Sequence, residues 1–443
     1  MGCLNMLKKI NILIILVIFS LGLIYPILSK ATDEIVSIKF EDINLYNAIV
    51  EKLNNIIENK NDSSYEIYLK QSNMQKVTKL DISQKNIANI KGLSGFTNVT
   101  KLYLHGNQIT DISELNKMNN IEALDISQNK ITDISIISNM VNLRFLFLGC
   151  DGIESKTGSR HSTNKITNLK PLKPLINMQT LEIDGLDIND ISSLENMSKL
   201  NTLDLRSNNI EDITVLSKLK NIKSLSIERN KNIKDFQPIG SLGNLTKLSL
   251  GNMEIKNIDF LSNLTNIETL NLSFNDITDI SSLANMSNLK ELSIGNNPNL
   301  EDISPLAKCK SLHKLYIPYD NIKNIDNLKE LDKITISIAG NKIDNLNFID
   351  ETSIKFGIDY TFEYEASNSS GGCRLEEHPQ SLEIETKTKE VELPQIFIQA
   401  QDKNSKIYSG QNLELVNCKL NENKNKIIMD DGIEKATIEV KRR

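Results

Sequence analysis

The sequence predicts an α/β solenoid, in which a curved parallel sheet lines one side of the molecule and 3-10 turns with short helices line the other. Three observations support this fold class. One motif returns about every 22 residues, apolar residues in 40–57 have helical spacing before it, and apolar and polar residues alternate after residue 352. The hydrophobic share of 39% and the charged share of 24% are those of an ordinary globular chain.

Residues 1–31 predict an export signal. Lys8 and Lys9 precede the apolar run 10–28, and Ser29-Lys30-Ala31 places small residues at positions −3 and −1 of a cleavage site. An uncleaved membrane anchor is the alternative, because the run approaches the roughly 20 residues that a spanning helix needs. The protein is therefore expected to be secreted or held at the cell surface, with membrane contact only in the second case.

Residues 32–77 are predicted to form a helical N-terminal cap. A solenoid needs caps because its end coils would otherwise expose one apolar side. Within 40–57, apolar residues recur at the three- and four-residue steps of one helix face. These residues are Ile43, Leu45, Ile49, Leu53 and Ile57.

A pattern of the form Leu-x-Leu-x-x-Asn-x-Ile occurs in twelve copies within 78–352. When the first leucine of each copy is position zero, seven of the eleven spacings are 22 residues, two are 23, one is 21 and one is 35. This motif at a fixed period near 22 is the signature of leucine-rich repeats. Position zero is occupied by Leu80, Leu102, Leu124, Leu146, Leu181, Leu203, Leu225, Leu248, Leu270, Leu292, Leu315 and Ile336.

Strand geometry gives each position of the repeat a direction. The residues at zero and +2 enter the core, while those at −1, +1 and +3 face the concave surface. An asparagine at +5 is suited to satisfy unpaired backbone groups from one coil to the next. It is present as Asn107, Asn129, Asn164, Asn208, Asn230, Asn275, Asn297 and Asn341. Looser turns are predicted where other residues replace it, at Lys85, Leu186, Met253 and Asp320.

An Asp-Ile-Ser or Asp-Ile-Thr step follows the turn in several copies, for example Asp111-Ile112-Ser113. The Ser or Thr is predicted to cap a short helical turn on the convex side. Pro171, Pro238 and Pro305 stand one position later, where the first helical residue tolerates a missing N–H. We interpret the repeated aspartates as solvated or capping groups, because no second series of metal ligands runs beside them.

The fourth copy contains an insertion. Its asparagine, Asn164, arrives 13 residues late after Leu146. The extra residues emerge at the edge of the concave sheet, which favours a role in binding. They carry the basic side chains of Lys156, Arg160 and His161. Without a partner, these are expected to rest on the acidic side chains of the following strands, which are Glu182, Asp184, Asp204 and Glu228.

Residues 353–443 fall outside the period. Alternation of apolar and polar residues in 381–401 and 426–443 predicts half-buried strands, and we interpret the region as a small immunoglobulin-like β-sandwich on the last repeat. Its most flexible loop is predicted at 368–372. Cys373 and Cys418 either form one bridge, as an exported chain allows, or stay unpaired.

Charge and motif content exclude several classes of function. Without residues 1–31, the chain has 48 basic and 57 acidic residues, a net charge of −9, and no basic cluster of the kind that binds nucleic acid. Its four histidines belong to no nucleophile, zinc or phosphate-loop motif. Cys150 and His161 could form a thiol–imidazole pair, but no third group to orient them is apparent. We therefore predict no enzyme activity, no cofactor and no metal site.

The combination of these features resembles the internalin family of Gram-positive surface proteins. The resemblance covers about 33–443 and is carried by the export signal, the helical cap, repeats such as "LDLRSNNIEDITVLSKLKNIKS" and the immunoglobulin-like tail. It implies an exported, non-enzymatic adhesin whose concave sheet grips a protein partner, often a host receptor. Members attached to the cell wall end in Leu-Pro-x-Thr-Gly, whereas Leu393-Pro394-Gln395-Ile396 lacks the Thr-Gly. Secretion, or retention by the N-terminal segment, is expected instead.

Two groups of concave side chains are the predicted partner-binding residues. The first comprises Tyr103, His105, Arg144, Phe145 and Phe147, together with Arg160 and His161 of the insertion. The second comprises His313, Tyr316 and Tyr319. Tyrosine and arginine are enriched in binding hot spots, so a monomer that binds a protein partner is expected. The alternative is a structural or glycan-binding component of the cell envelope, because aromatic rings also stack on sugars.

Overall fold

The computed structural model describes two long stretches of the chain, residues 33–150 and 162–331. It also describes 334–337, 341–342 and six strands between residues 357 and 439. The predicted export signal lies outside the described residues, as does most of the predicted sandwich, including both of its cysteines. Within the described parts, no helix has the length and hydropathy needed to cross a membrane.

An antiparallel sheet and a helix precede the repeats. The elements are β1 (Ile35–Lys39), α1 (Ile43–Leu53), β2 (Ile57–Asn61), β3 (Glu66–Lys70) and α2 (Gln71–Met74), with the strands in the order β1-β3-β2. The helix predicted within 40–57 is present but spans only Ile43–Leu53, because Ile57 begins a strand; Ile43, predicted on the buried face, is 48% exposed. The helix ends before two asparagines, which are weak helix formers.

Asp42 joins α1 to the first repeat. One carboxylate oxygen caps the helix by accepting hydrogen bonds from the N–H groups of Asn44 (2.7 Å) and Leu45 (3.1 Å). The other accepts from the N–H groups of Ala88 (2.8 Å) and Asn89 (3.0 Å). Partial burial acts to raise the pKa of this carboxyl, but the four donors outweigh it and hold the pKa below its ordinary value.

Each repeat contributes one three-residue strand to a continuous parallel sheet. Neighbouring strands pair leucine on leucine, as in Leu146↔Leu181, so the 35-residue spacing leaves the register intact. The strands are β4 (Lys79–Asp81), β5 (Lys101–Tyr103), β6 (Ala123–Asp125), β7 (Phe145–Phe147), β8 (Thr180–Glu182), β9 (Thr202–Asp204), β10 (Ser224–Ser226), β11 (Lys247–Ser249), β12 (Thr269–Asn271), β13 (Glu291–Ser293), β14 (Lys314–Tyr316) and β15 (Thr335–Ser337).

The predicted direction of the side chains is confirmed. Leu146 and Leu148 are fully buried, while Phe145 and Phe147 on the same strand are only half-buried. The buried leucines and isoleucines of successive coils form one continuous apolar core, which extends into the N-terminal sheet and α1.

The predicted asparagine contacts are also confirmed. Asn129 is fully buried, and its Nδ2 donates to the carbonyl of Leu104 (3.0 Å) in the preceding coil and to that of Ile126 (3.1 Å) in its own. Its Oδ1 accepts from the N–H of Ile109 (3.0 Å), again in the preceding coil. One amide thus satisfies three backbone groups that a turn inside the core would otherwise leave unpaired.

The turns that lack this asparagine close in other ways. In three of them the residue at +6 adopts a left-handed backbone: Asn86 (φ 58°), Asp187 (φ 60°) and Glu254 (φ 58°). In the fourth, Asp320 accepts the N–H of Asn297 at 2.6 Å, so the link between coils is kept. These turns therefore close with a different backbone or a different partner, and that they are looser stays a prediction.

The convex side consists of 3-10 helices, as predicted, and their caps differ from the prediction. Asp111 Oδ1, and not the hydroxyl of Ser113, accepts the first N–H of the helix, at 2.8 Å. The serine hydroxyl donates to the second oxygen of the same carboxylate, at 3.0 Å. Asp is favoured for this role because its carboxylate reaches the N–H two residues later. The prolines stand at the second helical position, as in Ser304–Lys308, where the N–H is still unused.

These 3-10 helices follow every strand from β4 to β14. They are η1 (Leu93–Gly95), η2 (Ser113–Lys117), η3 (Ser135–Asn139), η4 (Lys170–Leu172), η5 (Ser192–Leu194), η6 (Thr214–Lys218), η7 (Gln237–Ser241), η8 (Asp259–Leu261), η9 (Ser281–Asn285), η10 (Ser304–Lys308) and η11 (Asp326–Glu330).

Six described strands follow the last repeat. They are β16 (Gly357–Thr361), β17 (Ile396–Gln401), β18 (Ile407–Tyr408), β19 (Lys419–Leu420), β20 (Lys426–Asp430) and β21 (Lys435–Glu439). Parallel pairing of β15 with β16 and of β16 with β17 carries the repeat sheet past residue 352, where the predicted domain begins. The last three strands form a separate antiparallel sheet. An immunoglobulin-like arrangement in 353–443 stays a prediction.

Candidate binding surface on the concave face

Three rows of side chains line the concave face, because positions −1, +1 and +3 of every repeat point away from the buried leucines. Strand pairing brings equivalent positions side by side. In the row at +1, which we call the middle row, the neighbours in order are Tyr103, Asp125, Phe147, Glu182 and Asp204. Two rings and three carboxylates therefore share five adjacent strands.

Tyr103, Phe145 and Phe147 form the predicted aromatic cluster, and all three are half-buried. Phe145 and Phe147 lie at positions −1 and +1 of β7. Tyr103 lies two strands away on β5, which corresponds to about 10 Å at the usual spacing of strands. The Nζ of Lys79 is 5.2 Å from the centroid of the Tyr103 ring, within the range of a cation–π contact.

Arg144 belongs to this aromatic cluster, as predicted from the sequence. Its guanidinium lies 5.5 Å from the centroid of the Phe145 ring. The same group donates to Oε1 of Gln179 at 3.2 Å and reaches Oε2 of Glu122 at 3.5 Å. These contacts span three adjacent coils and hold the guanidinium against the ring.

His105 lies at +3, one row from Tyr103. Its Nδ1 is 3.1 Å from Oγ of Ser127, and its Nε2 is 3.3 Å from Nε2 of Gln84. The imidazole is thus tied to the coils on both sides. It lines the same face as the aromatic cluster, where the sequence placed it.

The second predicted group lies at the other end of the repeats. Tyr316 is half-buried in the middle row, His313 lies near it with Nδ1 3.1 Å from the carbonyl of Ser311, and Tyr319 is 38% exposed. The sequence analysis missed Phe274, which is 36% exposed. Phe274 and Tyr319 both occupy position +4 with a left-handed backbone (φ 59° and 58°). Strand alternation assigns only positions −1, +1 and +3 to the concave face, so it does not predict an exposed ring at +4.

The insertion leaves and rejoins the solenoid at the edge of the concave face. The described chain runs to Cys150 and resumes at Ser162, whose N–H donates to the carbonyl of Gly185 on the next coil at 2.9 Å. Arg160 and His161 lie outside the described residues. That Arg160 and His161 take part in binding stays a prediction. So does their expected contact with the acidic side chains of the following strands.

Asn164 takes the place of the regular +5 asparagine after the insertion. Its Nδ2 donates to the carbonyl of Leu148 at 2.8 Å, and its Oδ1 accepts from the N–H of Ile131 at 2.9 Å. The late asparagine therefore closes the coil in the regular way. The strand that carries Phe145 and Phe147 keeps its regular pairing with both neighbours despite the insertion.

An acidic cluster continues the concave face beyond Phe147. We use this name for Glu182 and Asp204 at +1 and for Asp184 and Glu228 at +3. Burial raises the pKa of Glu182 to about 7, and repulsion from Asp204, Asp184 and Asp125 adds to it. Burial likewise raises the pKa of Asp184 to about 6, with repulsion from Asp204.

One guanidinium lies within the acidic cluster. Nε of Arg206 donates to both carboxylate oxygens of Asp204, at 2.9 and 2.8 Å. Glu228 instead accepts hydrogen bonds from the hydroxyl of Ser249 and from Nδ2 of Asn271. The guanidinium of Arg206 interacts electrostatically with all four carboxylates of the cluster.

Asp184 is the most enclosed member of the acidic cluster, with no exposed surface. Its Oδ1 accepts from the N–H of Cys150 at 3.2 Å, whereas its Oδ2 is buried and has no hydrogen-bond partner. Gly149 allows this approach, because a Cβ there would collide with the backbone of Asp184. A buried carboxylate oxygen without a hydrogen-bond donor destabilises the folded protein. A donor or a cation beside Oδ2 would therefore stabilise the Asp184 carboxylate.

Two other features lie outside the concave face. Cys150 and Cys309 are buried thiols, and burial raises the pKa of Cys309 to about 11, so that little thiolate forms near neutral pH.

A shallow groove of about 370 Å³ on the convex side is lined by helix-capping residues, among them Asp190 and Asp212. Among the described side chains, no group of three or more His, Cys, Asp or Glu could hold a metal ion.

Comparison with known proteins agrees with this architecture. The family model described as leucine-rich repeats in two copies matches residues 75–117, 198–241, 243–285 and 287–330. The crystal structure of an internalin from Listeria monocytogenes is 32% identical in sequence, with a TM-score of 0.59, and the match covers 68% of this chain and 83% of that chain. This chain belongs to the internalin-like leucine-rich-repeat proteins.

More distant structures share the fold of this internalin-like chain. A leucine-rich-repeat protein of Leptospira interrogans is 21% identical with a TM-score of 0.55, and the match covers 61% of this chain and 68% of that chain. The structure of a TDR receptor is 19% identical with a TM-score of 0.50, covering 62% of this chain and 52% of that chain. None of the curated proteins compared with the sequence matches it.

Proposed function

We propose that this internalin-like protein is an exported, non-enzymatic binding protein that holds a protein partner on its concave face. The observation that carries the proposal is the aromatic cluster of Tyr103, Phe145 and Phe147. Most other positions in these rows hold Ser, Thr, Lys, Asp or Glu, which suit a solvated sheet. Clustered rings on such a surface bury large apolar areas on docking and are enriched in binding hot spots.

The rigidity of the cluster supports the same proposal. Strand β7 is paired on both sides, with β6 and β8, so the backbone of Phe145 and Phe147 is held in place before any partner arrives. Arg144 is fixed over one ring by contacts with two other coils. A surface that is already ordered loses little conformational entropy on binding.

Export to the cell surface or the medium of a Gram-positive bacterium is part of the proposal and rests on residues 1–31. Its test is fractionation of the producing cells, followed by sequencing of the N-terminus of the mature protein. We expect the protein in the medium or at the surface, with a start at Thr32 if the signal is cleaved. Full-length protein confined to the cytoplasm would contradict the proposal.

The binding surface is tested with the variant Phe145→Ser/Phe147→Ser. The control is Val141→Ser/Ile176→Ser, which removes two apolar side chains, 50% and 54% exposed, that lie five residues before the buried leucines. Cross-linking of the unaltered protein to host-cell membrane proteins and to purified cell wall identifies the partner. Isothermal titration calorimetry then compares the affinities of the variants.

We expect the Phe variant to bind the identified partner at least about tenfold more weakly, because it removes the centre of the apolar contact. The control should stay within about twofold, since scattered surface apolar residues contribute little. Equal affinity of the Phe variant and the unaltered protein would rule out this surface. Capture of cell-wall glycan alone would favour the envelope role instead.

A further inference from the structure

Among the residues that the structure describes, four carboxylates of the concave face lie around one guanidinium, that of Arg206. Burial acts to lower the pKa of the Arg206 guanidinium, but the negative charges of Asp204, Asp184 and Glu228 outweigh it and raise the pKa. Glu182 is repelled by three carboxylates and attracted by one guanidinium. Carboxylates this close together, and partly removed from water, are stabilised by any additional cation placed between them.

Asp184 provides a second indication of a ligand, which does not depend on the number of charges in the cluster. It has no exposed surface, yet its Oδ2 lacks a hydrogen-bond partner. In the row at +3 it adjoins Arg206, because the N–H of Gly185 donates to the carbonyl of Arg206 at 2.9 Å. Its carboxyl is repelled by Asp204 and attracted by Arg206, so it belongs to the acidic cluster and not to the leucine core.

The ring next to the acidic cluster suits the same kind of ligand. Phe147 lies directly between Asp125 and Glu182 in the middle row. Aromatic faces attract Lys and Arg, and two rings of this cluster already lie against basic groups of the chain, Lys79 and Arg144. A ring flanked by carboxylates is an arrangement that selects a long basic side chain, since the stem packs on the ring and the charge meets the acids.

We propose that the acidic cluster binds a basic segment of the protein partner and seats at least one Lys or Arg side chain between Phe147 and the carboxylates of Glu182 and Asp204. The inference rests on the proposed function and adds the chemistry of the partner. A single metal ion fits less well, because Arg206 occupies the middle of the cluster and the carboxylates are spread along neighbouring strands. Several charges on one extended chain match that spread.

The test uses a fluorescein-labelled peptide of alternating arginine and serine, with an alternating glutamate and serine peptide as the negative probe. Fluorescence anisotropy at 50 and 150 mM NaCl measures the affinity for the unaltered protein and for Glu182→Gln/Glu228→Gln. The matched control is Glu211→Gln/Glu301→Gln, which removes two exposed carboxylates on the far side of the turns. Both variants replace two glutamates by glutamines.

We expect the Glu182/Glu228 variant to bind the arginine peptide at least about tenfold more weakly and the control to stay within about twofold. Equal weakening of both variants would mean attraction to net charge alone and would overturn the proposal, as would no weakening in either. Circular dichroism checks the fold. Glutamine mimics a protonated Glu182, so we expect no loss of melting temperature.

The two proposals fail separately. Phe145→Ser/Phe147→Ser reports on the partner, whereas Glu182→Gln/Glu228→Gln reports on the basic peptide. If only the first variant lowers affinity for its ligand, the aromatic surface stands and the basic segment is rejected. If only Glu182→Gln/Glu228→Gln lowers the affinity for its ligand, the acidic site for a basic segment stands and the aromatic surface is rejected.

Discussion

At the scale of single residues, the repeat motif predicts the core and the coil-to-coil contacts, but not how far each polar group is buried. The asparagine at +5 could be assigned its role from sequence because few side chains both donate and accept inside a turn. Glu182 could be placed on the concave face, but its raised pKa could not be foreseen. That shift depends on burial and on Asp204, Asp184 and Asp125, which become neighbours only when the coils stack.

The asparagine contacts predict the effect of Asn230→Ala. The substitution removes hydrogen bonds to the carbonyls of Leu205 (3.0 Å) and Ile227 (2.9 Å) and from the N–H of Ile210 (3.1 Å), all in the core. We expect a loss of about 3 kcal/mol in the free energy of unfolding, because buried backbone groups are left unpaired.

Urea unfolding followed by circular dichroism measures this loss. The matched control is Asn221→Ala, in which an exposed amide loses one hydrogen bond to the carbonyl of Ser198 (2.7 Å). Water replaces that bond, so the control should lose less than about 1 kcal/mol. Similar losses in both variants would contradict the role assigned to the buried asparagine.

At the scale of elements, the 22-residue period predicts every repeat strand, while the segments outside the period are predicted less well. The helical spacing of 40–57 predicts α1, but Ile57 fits both that spacing and the strand it begins. The antiparallel pairing of β1 with β3 joins residues far apart in sequence, which no local pattern reveals, whereas β2 and β3 pair as a hairpin. The aspartate caps of the convex helices were within reach of sequence, since an Asp two residues before a helix is a common capping residue.

The connection between α1 and the first repeat predicts the effect of Asp42→Ala. Its carboxylate accepts two N–H groups of the helix and two of the first coil, so its loss affects both elements. We expect about 2 kcal/mol less stability against urea. The amides of Ala88 and Asn89 should also exchange with deuterium faster than before.

The control for this variant is Glu58→Ala, whose exposed ion pair with Lys70 spans 3.4 Å. Exposed pairs contribute little, so the change should stay within about 0.5 kcal/mol. Unchanged exchange at Ala88 and Asn89 in the Asp42 variant would show that the carboxylate does not join the two elements.

At the scale of the whole molecule, two buried carboxyls and the half-buried carboxyl of Glu182 influence how stability depends on pH. Burial raises the pKa of Asp320 to about 8, and the pKa values of Glu182 and Asp184 are raised to about 7 and about 6. Each folded-state pKa is above the ordinary value, so between that value and the raised one the folded chain holds more protons than the unfolded chain. The stabilisation is complete near pH 4 and is lost as the pH rises toward 8.

We therefore expect the melting temperature to fall between pH 5 and pH 8. The groups that face Glu182 are Asp125, Asp184, Asp204 and Arg206. Glu182→Gln removes one of the titrating groups and should flatten the decline, most clearly between pH 5 and pH 7. Differential scanning calorimetry across this range measures the slope. A melting temperature that rises with pH, or the same slope in the variant, would refute the assignment.

The asparagine contacts have a direction along the chain. Each regular asparagine reaches carbonyl and N–H groups of its own coil and of the coil before it, as Asn129 does with Leu104 and Ile109. A newly made coil consequently finds its hydrogen-bonding template already folded when the chain emerges N-terminus first. Assembly can then proceed coil by coil during synthesis, with α1 and its sheet as the starting surface.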